Sequence, residues 1–110
     1  MQTSNKKSFA ELIQSDKPVL VDFYADWCGP CKVMHPLLEE LKKKMNNNIT
    51  ILKINVDKNT RVSAQYRIQS IPTIILFKNG KAKWRQSGVV PVKQLEQIIA
   101  QHQKKKKKIS

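Results

Sequence analysis

The sequence predicts a single α/β domain in which a mixed β-sheet carries helices on both faces. Helical and strand patterns alternate along most of the chain, and Asn79-Gly80 adds a hairpin signal near its end. Strands separated by helices pair in parallel through right-handed crossovers, whereas a hairpin adds antiparallel strands. The length of 110 residues fits one compact domain. We expect this domain to span 1–103 and a basic, disordered tail to occupy 104–110.

The amino-terminal part predicts a short helix and then a buried strand. Ser8 and Glu11 have the spacing of a capping box, and apolar residues follow at helical intervals, which favours a helix near Ser8 to Ser15. After Pro18, the run from Val19 to Tyr24 is β-branched and aromatic, with little polar alternation. Such a run is typical of a strand covered on both faces.

The middle of the chain predicts the longest helix, a strand and a short helix. Apolar residues recur at helical intervals from Cys31 to Met45, and Asn46 to Asn48 end the pattern. Pro36 lies inside this helix and predicts a kink. Thr50 to Val56 predicts a second buried strand, and Arg61 to Tyr66 predicts a short helix.

The last third of the chain predicts a hairpin followed by a helix. Thr73 to Phe77 and Ala82 to Ser87 are strand-like runs on either side of Asn79-Gly80. The apolar residues between Val92 and Ile99 recur at helical spacing, which predicts an amphipathic helix before the lysine run.

Composition and charge limit the classes of protein to which this chain can belong. Hydrophobic residues make up 40% and charged residues 26%, a globular balance rather than a disordered one. No apolar run approaches the roughly 20 residues that cross a bilayer, so we expect no membrane insertion. The polar start lacks the apolar core of a signal peptide, which predicts a cytoplasmic protein, or an exported one if a leader has been removed. The net charge of +13 is high, and Lys104 to Lys108 supply only five of these charges.

The two cysteines lie in Trp27-Cys28-Gly29-Pro30-Cys31, where the buried strand gives way to the long helix. Unpaired N–H groups and the helix dipole at this position favour a thiolate, by about 1–2 kcal/mol or about one pKa unit. Cys28 at the helix start is therefore the candidate nucleophile. Cys31, one turn inside, is placed to attack a mixed disulfide, and Pro30 suits a first helical turn.

Three other roles for the cysteine pair remain open. A structural disulfide is one, although closing so short a loop stabilises a fold by only about 2 kcal/mol. A zinc site is another, but it would need more ligands than His35, the one histidine nearby, so we expect no metal. Two unreactive cysteines are the third.

The cysteine motif belongs to a longer pattern that resembles the thioredoxin family from about Phe9 to Ile99. The matching segments beyond the motif are Val21 to Asp26, Lys53 to Asp57, Ile71 to Thr73, Phe77 to Gly80, and Gly88. The resemblance implies the thioredoxin fold and a protein-disulfide reductase without a bound cofactor, supplied with electrons by a separate thioredoxin reductase. Gly29-Pro30 between the cysteines tunes the redox chemistry and is typical of reducing members.

The resemblance also implies roles for two charged residues. Asp22 is a carboxylate inside an apolar strand, where an unpaired charge costs several kcal/mol. In the family, the matching aspartate lies beneath the cysteines and accepts the proton of the second one, here Cys31. We expect desolvation to raise the pKa of Asp22. Lys53 matches the lysine beside this aspartate, and a plain buried ion pair between the two is the alternative.

A docking surface for substrates is implied around Pro72, which matches the family's cis-proline. Ile71 would offer backbone groups to an extended substrate strand. An ordinary trans proline at a strand start is the alternative. The rest of the surface would be formed by Trp27, Gly29, Pro30 and Gly88.

The high positive charge suggests acidic client proteins or an acidic reductase surface as partners of a monomer. Nucleic acid is not expected, because no aromatic residues interleave with the basic ones. His35 occupies a position where the family commonly has a small residue, and it is expected to be a surface histidine, with tuning of the cysteines as the alternative. Two other functions stay open: a redox-independent binding or chaperone-like subunit, and an exported thiol oxidant or isomerase.

Overall fold

The structure, a computed structural model, describes residues 7–103, so the predicted tail at 104–110 lies outside the described residues. The predicted elements are all present, in the predicted order. They are α1 (Phe9–Leu12), β1 (Val19–Tyr24), α2 (Gly29–Met45), a 3-10 turn (Asn46–Asn48), β2 (Thr50–Asn55), α3 (Thr60–Gln65), β3 (Thr73–Lys78), β4 (Lys81–Ser87) and α4 (Val92–Gln103). The capping box predicted at Ser8 and Glu11 is formed at the start of α1.

The four described strands form one mixed sheet in the order β2-β1-β3-β4. β1 pairs parallel with β2 and antiparallel with β3, and β4 pairs antiparallel with β3. β1 and β3 are central and buried, as predicted for Val19 to Tyr24. The prediction that Thr50 to Val56 forms a buried strand is wrong, because β2 lies at an edge of the described sheet and most of its residues are half-buried.

Alternate side chains of the central strands point to opposite faces of the sheet, where they build two separate cores. Leu20, Ile74 and Leu76 pack with apolar residues of α2 and α4. Their neighbours Val21 and Ile75 belong to the other core, which Phe9 of α1 and Val62 of α3 help to cover. Strand alternation therefore places Asp22 on the α2 face, together with Leu20.

The turn between β3 and β4 is formed by Asn79 and Gly80, whose φ angles are 54° and 82°. Positive φ at both central residues is what a tight hairpin turn requires. The hairpin predicted from Asn79-Gly80 is therefore confirmed.

Candidate active site

The cysteine pair lies at the start of α2, where Cys28 is the N-cap residue. Its backbone is extended (φ −92°), and its Sγ accepts a hydrogen bond of 3.1 Å from the N–H of Cys31. The two residues form a disulfide, with 5.3 Å between their Cα atoms. Pro30 lies in the first turn, where a backbone N–H would have no acceptor within the helix, so its absence costs no hydrogen bond. The structure thus confirms that the two sulfurs can bond at a helix start.

The two cysteines differ in solvent exposure. Cys28 is 4% exposed and Cys31 is fully buried. When the disulfide is reduced, the N–H that now points at Cys28 Sγ is a donor for a thiolate, and the dipole of the helix of 17 residues adds to it. The arrangement can therefore stabilise charge on the outer sulfur while the inner one stays shielded.

Asp22 is fully buried beneath α2, and neither of its carboxyl oxygens has a hydrogen-bond partner among the described residues. Burial raises the pKa of Asp22 from 3.8 to about 6, and the positive charge of Lys53 opposes this rise. Lys53 is the register partner of Asp22 on β2, but its side chain is exposed. The buried ion pair between Asp22 and Lys53, the alternative considered from the sequence, is not formed.

The group that does approach Asp22 is His35 of α2. Its Nε2 lies 3.5 Å from Asp22 Oδ2, and its ring packs edge-on against Tyr24 with 5.0 Å between centroids. The side chain of His35 is 30% exposed. The expectation of a plain surface histidine is therefore wrong, because the ring lies against Asp22 and Tyr24 and its Nε2 is buried.

Pro72 lies immediately before β3 and follows Ile71, which packs against the cysteines. The peptide bond between Ile71 and Pro72 is cis, as the resemblance implied, so the trans alternative is wrong. The carbonyl oxygen of Ile71 lies 3.7 Å from Cys28 Sγ. Gly88, at φ 92°, donates its N–H to the carbonyl of Pro72 over 2.8 Å. These contacts bring Ile71, Pro72 and Gly88 together beside Cys28.

Trp27 is the most exposed large apolar side chain among the described residues, at 71%. Its indole Nε1 donates a hydrogen bond of 2.8 Å to Asp57 Oδ2. Sequence reasoning did not single out Asp57, although a signal was present: Asp57 and Trp27 follow the carboxyl ends of the parallel strands β2 and β1, which share one edge of the sheet. Gly29 and Pro30 are exposed beside Trp27.

Within residues 7–103, no three His, Cys, Asp or Glu side chains come together in a way that could hold a metal ion. In the same part of the chain, each helix is either too short or too polar to cross a lipid bilayer.

Comparison with known proteins identifies relatives over most of the chain. The family model described as Thioredoxin matches residues 1–101. A thioredoxin from Alicyclobacillus acidocaldarius is 47% identical over 98 residues, which cover 89% of this chain and 93% of that protein. Chloroplastic Thioredoxin Y from rice is 50% identical over 93 residues, or 84% of this chain, but the match spans only 55% of that longer protein.

A solved thioredoxin structure also resembles this chain. The crystal structure of the Malassezia sympodialis thioredoxin matches with a TM-score of 0.78 and 32% identity, covering 86% of this chain and 83% of that one. Together with the cysteine pair at bonding distance, these relatives establish thiol–disulfide oxidoreductase activity of the protein-disulfide reductase kind. The fold is the thioredoxin fold, and the chain belongs to the thioredoxin family.

Proposed function

We propose that the chain reduces client disulfides through a mixed disulfide, with Cys28 as nucleophile and Cys31 as resolving cysteine. The Cys28 thiolate attacks one client sulfur, so that the client S–S bond breaks and the other client sulfur leaves as a thiolate. The Cys31 thiolate then attacks Cys28 Sγ and releases the second client thiolate. Two electrons pass to the client, and the chain is left with the disulfide seen in the structure. The observation that carries this proposal is the Cys31 N–H aimed at Cys28 Sγ at the start of α2.

Asp22 supports the second step as the base that takes the proton from Cys31. It lies on the α2 face of β1, has no competing hydrogen bond among the described residues, and has a pKa of about 6. At neutral pH such a carboxyl is mainly ionised yet can still hold a proton, which suits a general base. Lys53, across the parallel pairing, moderates the pKa through its charge.

The surface around Cys28 is the docking site for an extended client segment. The half-buried Ile71 supplies backbone groups beside the sulfur, and Gly88 holds Pro72 in place through its N–H. Trp27, Gly29 and Pro30 offer exposed, largely apolar surface on the other side of Cys28. Gly29 and Pro30 also adjust the redox balance of the cysteine pair between which they lie.

The remaining assignments combine the family resemblance with the composition and charge of the sequence. Residues 1–103 form the catalytic domain and 104–110 a basic tail, and the domain acts as a cytoplasmic monomer without a bound cofactor. A thioredoxin reductase returns the disulfide to the dithiol. Clients and reductase meet the chain through acidic surfaces, since its net charge is +13.

Serine substitutions at the two cysteines test the mechanism. In the dithiothreitol-driven reduction of insulin, Cys28→Ser should abolish catalysis, because no thiolate is left to attack. Cys31→Ser should accumulate the mixed disulfide between Cys28 and insulin, which non-reducing electrophoresis and mass spectrometry detect. Catalysis that persists in Cys28→Ser would rule the mechanism out.

A further inference from the structure

The carboxyl group of Asp22 has no direct route to water. Its side chain has no exposed surface, and its oxygens accept no hydrogen bond from any group in residues 7–103. With a pKa of about 6 in the oxidised chain, Asp22 is mainly ionised at neutral pH, so the proton that it takes from Cys31 passes on to solvent and must return when the disulfide is reduced. This exchange requires a second group that touches both Asp22 and solvent.

His35 meets this geometric requirement. Its Nε2 is buried and lies 3.5 Å from Asp22 Oδ2, while the side chain as a whole is 30% exposed. The contact of its ring with Tyr24 holds the imidazole at this boundary. A shift of roughly half an ångström brings Nε2 and Oδ2 to hydrogen-bond distance. His35 also lies one helical turn beyond Cys31 on the same side of α2.

Burial and the nearby charges shift the pKa values of both groups. Burial lowers the pKa of His35 from 6.5, and Lys53 on β2 lowers it further, while Glu39 on α2 and Asp26 after β1 act in the opposite direction. Burial raises the pKa of Asp22 to about 6. Burial therefore shifts the pKa values of the two groups in opposite directions, which opposes the usual preference of a proton for an imidazole over a carboxylate and favours transfer either way.

We propose that His35 is a positioning residue that carries the proton of Asp22 to and from solvent, an inference that rests on the proposed role of Asp22. During oxidation of the dithiol, Asp22 takes the proton of Cys31 as the Cys31 sulfur attacks Cys28. The Nε2 lone pair of neutral His35 then accepts this proton from Asp22 Oδ2, and Nδ1 releases its own proton to water. No electrons move in this step.

The same residue serves the return reaction. When the disulfide is reduced, Nδ1 takes a proton from water, Nε2 gives its proton to Asp22, and Asp22 protonates the departing Cys31 sulfur. The imidazole ends in the tautomer from which the next oxidation starts. The imidazole of His35 therefore completes the proton cycle without a ring flip.

The test follows single-turnover reduction of the oxidised full-length chain by saturating dithiothreitol at pH 7, where Asp22 is mainly ionised and must receive a proton from solvent before it can protonate Cys31. His35→Gln, which retains bulk and polarity, and His35→Ala should both react about tenfold more slowly. Added imidazole should restore the rate of His35→Ala in proportion to its concentration. His102→Gln is the matched control, because His102 lies on α4 and contacts the carbonyl of Ile98. It should behave like the unmodified chain with or without imidazole.

Three outcomes would overturn the inference, and they are distinguishable. If His35→Gln is as fast as the unmodified chain while Asp22→Asn is slow, Asp22 acts without His35. If Asp22→Asn is also fast, the role of Asp22 fails and the relay with it, whereas Cys28→Ser tests the nucleophile independently. If His35→Ala is slow but imidazole does not rescue it, the ring only supports packing. NMR titration of the Asp22 carboxyl in His35→Gln checks that the site itself is intact.

Discussion

Asp22 carries a cost in stability that is visible at the scale of one residue. Its pKa is about 6 in the fold against 3.8 ordinarily, so the folded chain binds more protons than the unfolded one between these values. Stability therefore falls as the pH rises from 3.8 to 6, and stays lowered above that range. At 1.36 kcal/mol per pKa unit, the ionised carboxyl costs about 3 kcal/mol at neutral pH. The role of proton acceptor that we propose for Asp22 would account for so costly a group in a central strand.

Asp22→Asn should remove this cost, because the amide has the shape of the carboxyl and does not ionise. We expect the oxidised variant to be more stable than the unmodified chain by about 2–3 kcal/mol at pH 7 to 8, and by little at pH 4. Urea unfolding across this pH range measures the difference. Asp16→Asn, at an exposed aspartate, is the control and should follow the unmodified curve. If the free energy of unfolding of Asp22→Asn depended on pH in the same way as that of the unmodified chain, the pH dependence could not be assigned to this carboxyl.

At the scale of elements, the β3–β4 hairpin shows how local chemistry sets a connection on which the site depends. The turn needs φ 82° at Gly80, a left-handed conformation that disfavours any side chain. β4 leads directly to Gly88, whose N–H holds the carbonyl of Pro72. The register of the hairpin thus positions one side of the docking surface that we propose.

Gly80→Ala should destabilise the chain by about 1–2 kcal/mol through the left-handed backbone alone. A Cβ at this position would also meet the amide of Gln14, so the clean measurement is made in a Gln14→Ala background. Chemical denaturation of the single and double variants separates the two contributions. Gly29→Ala is the comparison, because a Cβ there meets nothing within 4 Å. A double variant that regains full stability would show that the cost is steric rather than conformational.

At the scale of the whole molecule, the net charge of +13 is expected to influence how partner proteins approach. A field of this size accelerates the encounter with negatively charged surfaces and slows it with positive ones. The effect is long-ranged and is screened by salt, since the Debye length shortens from about 30 Å at 0.01 M to about 3 Å at 1 M. We therefore expect charge to favour acidic clients without changing the chemistry at the cysteines.

The kcat/KM for an acidic client protein should fall about tenfold or more between 0.02 M and 0.5 M salt, because steering is lost. A basic client of similar size should show the opposite slope. An uncharged small disulfide is the control, and its reduction should be nearly independent of salt. Stopped-flow measurements at constant pH give these rates. Equal slopes for acidic and basic clients would contradict steering by the net charge.

Local patterns in the sequence determined the element order, the capping box at Ser8, the hairpin at Asn79-Gly80 and the cysteine pair at a helix start. Each of these depends on residues close together in the chain, where periodicity, backbone preferences and helix-end chemistry act directly. The family resemblance extended this reading to the cis bond before Pro72.

Only the tertiary structure decided which distant side chains meet. The contact of His35 with Asp22, the bond from Trp27 to Asp57, and the edge position of β2 all depend on strand order and on how α2 lies over the sheet. The sequence pattern of α2 predicts a surface position for His35, and only the fold shows that Asp22 lies beneath it. The sequence by itself thus determined the place of the cysteine pair. The packing of α2 over the sheet decided which side chains lie around Asp22.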